Sequence, residues 1–95
     1  MSAFFIARLD IRDPVRYEDY LAGFDAIFAG TGGEVLAVDD ETVTLEGEPA
    51  PGRSVVIRFP DEAALRRWYD SPAYQRLRSI RNEAAEGAVI LVHGR

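Results

Sequence analysis

A few residues among the 95 have side chains suited to chemistry. His93 is the only imidazole, and a histidine titrates near working pH, which suits a general base. Arg58 and Phe4 belong to strand-like segments that a simple antiparallel register brings close to His93. An arginine and a histidine beside an aromatic ring form a plausible cradle for a carboxylate or an enolate. Arg8 is a further cation in the first strand, able to line a cavity or to bridge to Asp10, Glu46 or a second copy of the chain. Tyr17 and Tyr20 fall on one helical stripe, and Tyr69, Tyr74 and Arg81 flank or follow a proline-induced break, with Tyr74, Arg78 and Arg81 four and three residues apart on one face. Tyrosine combines an apolar body with a polar tip, so each can pack and also touch a ligand.

Each of these residues has a plainer reading. Arg58 can pair with an acid across a dimer, and His93 can be a solvated strand-end residue. The tyrosines can be core, and Trp68, Tyr69, Ser71 and Tyr74 can be a capping and packing device at the break. No set of residues identifies a reaction, and whether the chain is an enzyme stays open.

Composition narrows the classes. With 11 basic and 16 acidic residues the formal charge is −5, and no basic block supplies the footprint of a nucleic-acid or anionic-membrane binder. The apolar runs Ala3 to Ala7 and Ala88 to Val92 fall far short of the roughly 20 residues of a membrane span. No secretory leader pattern is evident, so a cytoplasmic location is the expectation. The absence of cysteine excludes disulfides, thiolate zinc sites and a cysteine nucleophile, and one histidine cannot build a histidine-rich metal centre. No metal or cofactor is expected, haem included. Residues 1–48 hold 3 arginines and 11 acids, and residues 49–95 hold 8 arginines and 5 acids, an asymmetry that bears on packing. Every basic residue is arginine, hence permanently charged and suited to two-pronged carboxylate binding.

Ala3 to Ile11 reads as a strand, with Phe5, Ala7, Leu9 and Ile11 on one face. Asp13-Pro14 starts a helix, the aspartate as N-cap and the proline in the first turn. Its buried stripe is Tyr17, Tyr20, Leu21, Phe24, Ile27 and Phe28, and Gly30-Thr31-Gly32-Gly33 ends it. Because that glycine run leads from a helix into a strand, it is a C-cap and no phosphate loop. Glu34 to Val38 is a second strand, and the alternation of Thr42 to Glu46 suggests a short hairpin partner for it. A loop over Glu46 to Gly52 leads to the strand Arg53 to Phe59, with Val55, Ile57 and Phe59 on one face. A helix starts at Pro60-Asp61, breaks at Asp70-Ser71-Pro72, and resumes to about Glu86, where Gly87 stops it. Ala88 to His93 closes the chain. The acids Glu34, Asp39, Asp40, Glu41, Glu46 and Glu48 lack the spacing of a calcium loop and read as solvated turn residues.

The order implies one α+β domain over residues 1–95, a ferredoxin-like βαββαβ sandwich with an extra hairpin strand. The sheet face away from the helices would carry Phe4, Ile6, Val56, Val89 and Leu91, more apolar surface than a lone soluble chain exposes. A homodimer packed sheet to sheet is therefore expected.

The run Phe59-Pro60, then Trp68-Tyr69-Asp70-Ser71-Pro72-Ala73-Tyr74-Gln75, then Arg81, resembles the signature of the bacterial domain-of-unknown-function family 1330. The resemblance extends to Arg8 and Asp10, to Asp13-Pro14 with Tyr17 and Tyr20, to Leu45-Glu46-Gly47 and to the last strand. It implies a dimeric α+β barrel similar to antibiotic-biosynthesis monooxygenases, muconolactone isomerases and haem-degrading enzymes, and it implies no particular activity. Ala73 stands where family members often carry an acid, so a role of that acid does not transfer. His93 matches no family histidine. Together, the residues and the resemblance point to a barrel or helix-sheet cleft that binds a small polar or anionic metabolite, with Arg8, Tyr17, Arg58, Tyr69, Tyr74 and Arg81 as candidate contacts and His93 as a weak catalytic candidate. A cofactor-free oxygenase or isomerase is the enzymatic version by fold analogy; a structural or regulatory dimer without a ligand is the alternative.

Overall fold

The computed structural model describes residues 1–49 and 51–95. The expected loop from Glu46 to Gly52 includes residue 50, which lies outside the described residues. Strand β1 (Ala3–Ile11) leads into helix α1 (Pro14–Phe28), followed by β2 (Glu34–Asp39), β3 (Arg53–Phe59), α2 (Glu62–Tyr69), α3 (Pro72–Ala84) and β4 (Ala85–His93). The sheet order is β2-β3-β1-β4, with every neighbouring pair antiparallel. This is the ferredoxin-like α+β arrangement, and the helices lie against one face of the sheet. Among the described residues no helix is long and apolar enough to cross a membrane.

Each helix starts where local chemistry supplies a cap. Asp13 accepts from the Arg16 amide, Asp61 from the Ala64 amide and Ser71 from the Tyr74 amide, with Pro14 and Pro72 in the first turns of α1 and α3. These side chains satisfy amides that the first helical turn leaves without partners. The core lies between helices and sheet: Ala3, Phe5, Ala7, Leu9, Ile57 and Phe59 from the strands meet Tyr17, Tyr20, Leu65, Trp68, Tyr74 and Leu77 from the helices. Trp68 is its centre, with ring centroids 5.2 Å from Phe5, 5.3 Å from Phe59 and 4.2 Å from Tyr74.

Four expectations are corrected. Thr42 to Glu46 forms no strand, and Val43 and Leu45 are exposed. The outer edge of β2 is free, but the segment does not pair with it, because its apolar side chains bury nothing that would hold it extended. Gly87 is no helix stop, because β4 follows α3 without a gap and Gly87 sits within it. A Cβ at that position would lie 1.9 Å from the carbonyl oxygen of Arg8, so glycine serves close approach between strands. The parity of β4 is also opposite to that expected. Ile90 pairs with Ile6 and Val92 with Phe4 on the open face, while Val89 and Leu91 pair with Ala7 and Phe5 on the helix side. His93 pairs with Ala3, a buried core residue, and so shares the helix-side parity, whereas Arg58 pairs with Phe4 on the open face. The register does not bring Arg58 and His93 together. A one-residue shift exchanges the two faces of a strand.

The close approach at Gly87 has a measurable consequence. Gly87→Ala should destabilise the protein by roughly 1–3 kcal/mol, since the added methyl group forces β4 away from β1. Equilibrium urea unfolding measures this, and an unchanged midpoint would show that the strands tolerate a side chain there.

Candidate functional site

Arg81 is the one buried charged residue among the described residues, only 4% exposed. It sits on α3, where the spacing from Tyr74 carries it to the same inward face. Its Nη1 donates to the Tyr74 hydroxyl at 2.8 Å, and the Tyr74 and Tyr20 hydroxyls lie 2.8 Å apart, with either able to donate. The guanidinium carbon is 6.0 Å from the centroid of the Tyr20 ring. Among the described residues no carboxylate lies within 4.0 Å of the Arg81 guanidinium. Burial opposes its charge, and its one hydrogen-bonded side-chain partner among the described residues is the neutral Tyr74 hydroxyl. Arg81 is therefore a permanent cation without a counter-charge, in the helix-sheet layer.

The helix break places Tyr74. The Ser71 hydroxyl donates to the Trp68 carbonyl at 2.8 Å and accepts from the Tyr74 amide at 3.1 Å. One side chain thus closes α2 and opens α3. Gln75 adds a bond from Nε2 to the Tyr69 carbonyl at 2.6 Å. With the corner fixed, the Tyr74 ring is fully buried against Trp68.

Beside this chain lies a cavity of about 220 Å³. Its sheet side is formed by Phe5, Ala7, Leu9, Val55 and Ile57, its helix side by Tyr17, Tyr20, Leu21 and Phe24, and its outer wall by Val35 and Val38 of β2. Arg81 and Arg53 are the two cations that line it, and Asp25 the one carboxylate. Arg53 stands 5.4 Å from the centroid of the Tyr17 ring and grips Asp40 with two bonds, Nε to Oδ1 at 2.7 Å and Nη2 to Oδ2 at 3.1 Å. Hydrogen bonding from Arg53 holds the Asp40 carboxyl below its ordinary range. The aromatic wall is continuous, with the Tyr17 and Tyr20 rings 5.4 Å apart and Tyr20 and Phe24 5.9 Å apart.

Of the residues singled out from sequence, Tyr17, Tyr20 and Arg81 line this cavity, and Tyr74 stands directly behind it through its bonds to Tyr20 and Arg81. Tyr69 is elsewhere, lining a second cavity of about 180 Å³ between α2 and β4, near Phe5, Leu65 and Arg66. Arg8 and Arg58 are exposed on the open sheet face, Arg58 lying 4.0 Å from Glu34 of its own chain. His93 bonds through Nε2 to Glu62, which also pairs with Arg66, so the expected cradle of Arg58, His93 and Phe4 does not form. Arg53 was not singled out from sequence, although it shares its parity with Val55, Ile57 and Phe59; a cation ending an apolar alternation was the available signal. Among the described residues no cluster of three carboxylates or imidazoles is placed to hold a metal ion.

The architecture and cavity define a ferredoxin-like α+β domain with a space of about 220 Å³ between helices and sheet. The chain belongs to the DUF1330 family, a domain of unknown function whose model matches residues 2–95. No curated protein matches the sequence. Among solved structures, a protein of unknown function from Rhodopseudomonas palustris, RPA0582, superposes with a TM-score of 0.77 at 18% identity, covering 96% of this chain and 80% of that one. SnoaB, a cofactor-independent oxygenase from Streptomyces nogalater, gives a TM-score of 0.69 at 19% identity, with 99% and 93% covered. A dimeric ferredoxin-like protein of unknown function from Thermobifida fusca gives 0.68 at 16%, with 97% and 90% covered. At these identities the likeness is one of fold.

The buried phenols make stability depend on alkaline pH. Burial, reinforced by Tyr74, pushes Tyr20 far above the ordinary phenol value; burial also raises Tyr74 and Tyr17, with Arg81 and Arg53 respectively opposing it. An unfolded chain releases these protons near about pH 10, while the folded chain keeps them. The folded state then binds more protons, so stability is full below about pH 10 and falls as pH rises toward the folded values. Unfolding free energy should drop by about 1.4 kcal/mol per pH unit for each phenol kept protonated, and Tyr20→Phe should remove one phenol's share of the slope. Tyrosinate absorbance from these residues in the folded protein, without loss of stability, would contradict it.

Proposed function

We propose that this protein binds a small anionic molecule with a flat apolar body in the cavity beside Arg81. The carrying observation is the buried guanidinium, which has a phenol and an aromatic face beside it but no carboxylate. Leaving a charge buried without a counter-charge is costly, and a cavity at that charge is where a ligand would offset the cost. Arg81 takes the anionic group, Tyr20 offers a hydroxyl next to it, and Tyr17 and Phe24 take the body. At about 220 Å³ the space lies below the common range of about 300–1,000 Å³ for drug-sized ligands, so the occupant is small. SnoaB's activity extends the reading to a cofactor-free oxygenase acting on such an anion, by fold analogy alone. The cavity has no imidazole, and recognition is the primary assignment.

Benzoate is a suitable probe, with benzamide as its uncharged counterpart. Benzoate should raise the melting temperature, as a ligand that binds only the folded state does, while benzamide should not. Arg81→Met should abolish the benzoate effect and leave the unliganded protein more stable, by about 1 kcal/mol or more, because an unbalanced buried charge is gone. A wild-type response equal for both probes, or one that survives in Arg81→Met, would overturn the anion assignment in favour of a ligand-free structural role.

We infer also that two copies pack through their open sheet faces. Phe4, Ile6, Val56, Ile90 and Val92 share that face, with Ile90 56% and Val92 38% exposed. Arg8, Arg58, Glu34 and Glu86 accompany them on it, a mixture of charges that a two-fold axis can match to itself. The Thermobifida fusca relative is described as dimeric. Light scattering should give twice the 10.6 kDa chain mass for wild type and a monomer for Ile6→Asp. A wild-type monomer at micromolar concentration would refute the inference.

A further inference from the structure

We propose that Asp40 is a specificity residue that makes the Arg81 cavity select monoanions over dianions. The inference rests on the anion-binding reading and deepens it. Two arginines line one cavity, yet they differ in electrostatic state. Arg81 is buried and has no carboxylate within 4.0 Å, whereas Arg53 is held by both oxygens of Asp40 at 2.7 and 3.1 Å. The two cations stand against the two members of a tyrosine pair, Arg53 over Tyr17 and Arg81 over Tyr20. A ligand with one anionic group at Arg81 therefore reaches toward an arginine whose charge is already balanced.

Asp40 lies just past the end of β2, and its side chain is largely exposed, at 61%. Solvent keeps this pair weak in energy, so its effect is on selection and not on folding. With Asp40 ionised, a second anionic group near Arg53 meets a carboxylate already holding two of that arginine's donors. With Asp40 neutral, Arg53 becomes an available partner, and its planar fork suits a carboxylate. Asp40 acts on the cavity through Arg53 and does not line it; Asp25 is the carboxylate that does, but it is exposed on α1 and makes no ion pair with either arginine among the described residues. Asp40 is the acid that sets the charge at the Arg53 end.

The test compares benzoate with isophthalate, the same ring bearing two carboxylates, by calorimetric titration at low ionic strength. Wild type should bind benzoate more tightly. Asp40→Asn should improve isophthalate affinity relative to benzoate on the order of tenfold, and the gain should shrink as salt is added. Asp40→Asn with Arg53→Met should lose it, which separates the release of Arg53 from a general drop in negative charge. If benzoate binds in an Arg81-dependent manner but the ratio is unchanged in Asp40→Asn, the selectivity proposal fails and the anion site stands. If benzoate and isophthalate bind neither wild type nor Asp40→Asn, both fail.

Discussion

The hydrogen-bonded chain from Arg81 to Tyr74 to Tyr20 ties the structure's packing to its chemistry. It joins α3 to α1 through three polar groups in a layer otherwise filled with aromatic rings and aliphatic side chains. In such surroundings a hydrogen bond is electrostatically stronger than in water, and a missing one costs more. The neighbouring elements are arranged to keep this chain intact. Ser71 fixes the corner from which Tyr74 enters, Trp68 packs on the ring of Tyr74, and the ion pair from Arg16 to Glu83, at 2.8 Å, holds the outer edges of α1 and α3 together.

The chain leaves an imbalance as well as an order. Its phenols can satisfy one donor of the guanidinium, but they cannot neutralise it. A core built only for stability would favour an apolar residue at that position. The cation stands instead beside a space lined by tyrosine and phenylalanine, with a second arginine nearby whose charge is balanced by Asp40. The sheet then has two tasks on two faces. One forms the wall of this space, and the other carries Phe4, Ile6, Val56, Ile90 and Val92, the face through which two copies are proposed to pack.

Much of this was legible in the sequence because local chemistry determined it. The caps Asp13, Asp61 and Ser71, the prolines that follow two of them, and the period-two alternation in β1 and β3 specify where elements start and which side faces the core. The spacing of Tyr74, Arg78 and Arg81 put tyrosine and arginine on one helix stripe. What could not be read was the orientation of segments lacking a polarity contrast. Ala88 to Val92 is apolar at every position, so its parity is open in the sequence and is set only by pairing with β1, which puts His93 on the helix side of the sheet and away from Arg58. Thr42 to Glu46 has the alternation of a strand, but its Val43 and Leu45 are exposed and bury nothing that would hold it against the free outer edge of β2. The partnership of Arg53 with Asp40 spans the loop between β2 and β3, beyond what helix or strand periodicity can report.

The central claim is that Arg81 is a buried cation held ready for an external anion. Side-chain nuclear magnetic resonance tests it most directly, by following the arginine Nε–H resonances of the folded protein during a benzoate titration. The Arg81 resonance should be protected from solvent exchange without ligand and should shift saturably as benzoate is added, with the other arginines moving less. An Arg81 signal that stays fixed while benzoate binds elsewhere, or one that exchanges as freely as the exposed arginines, would contradict the account.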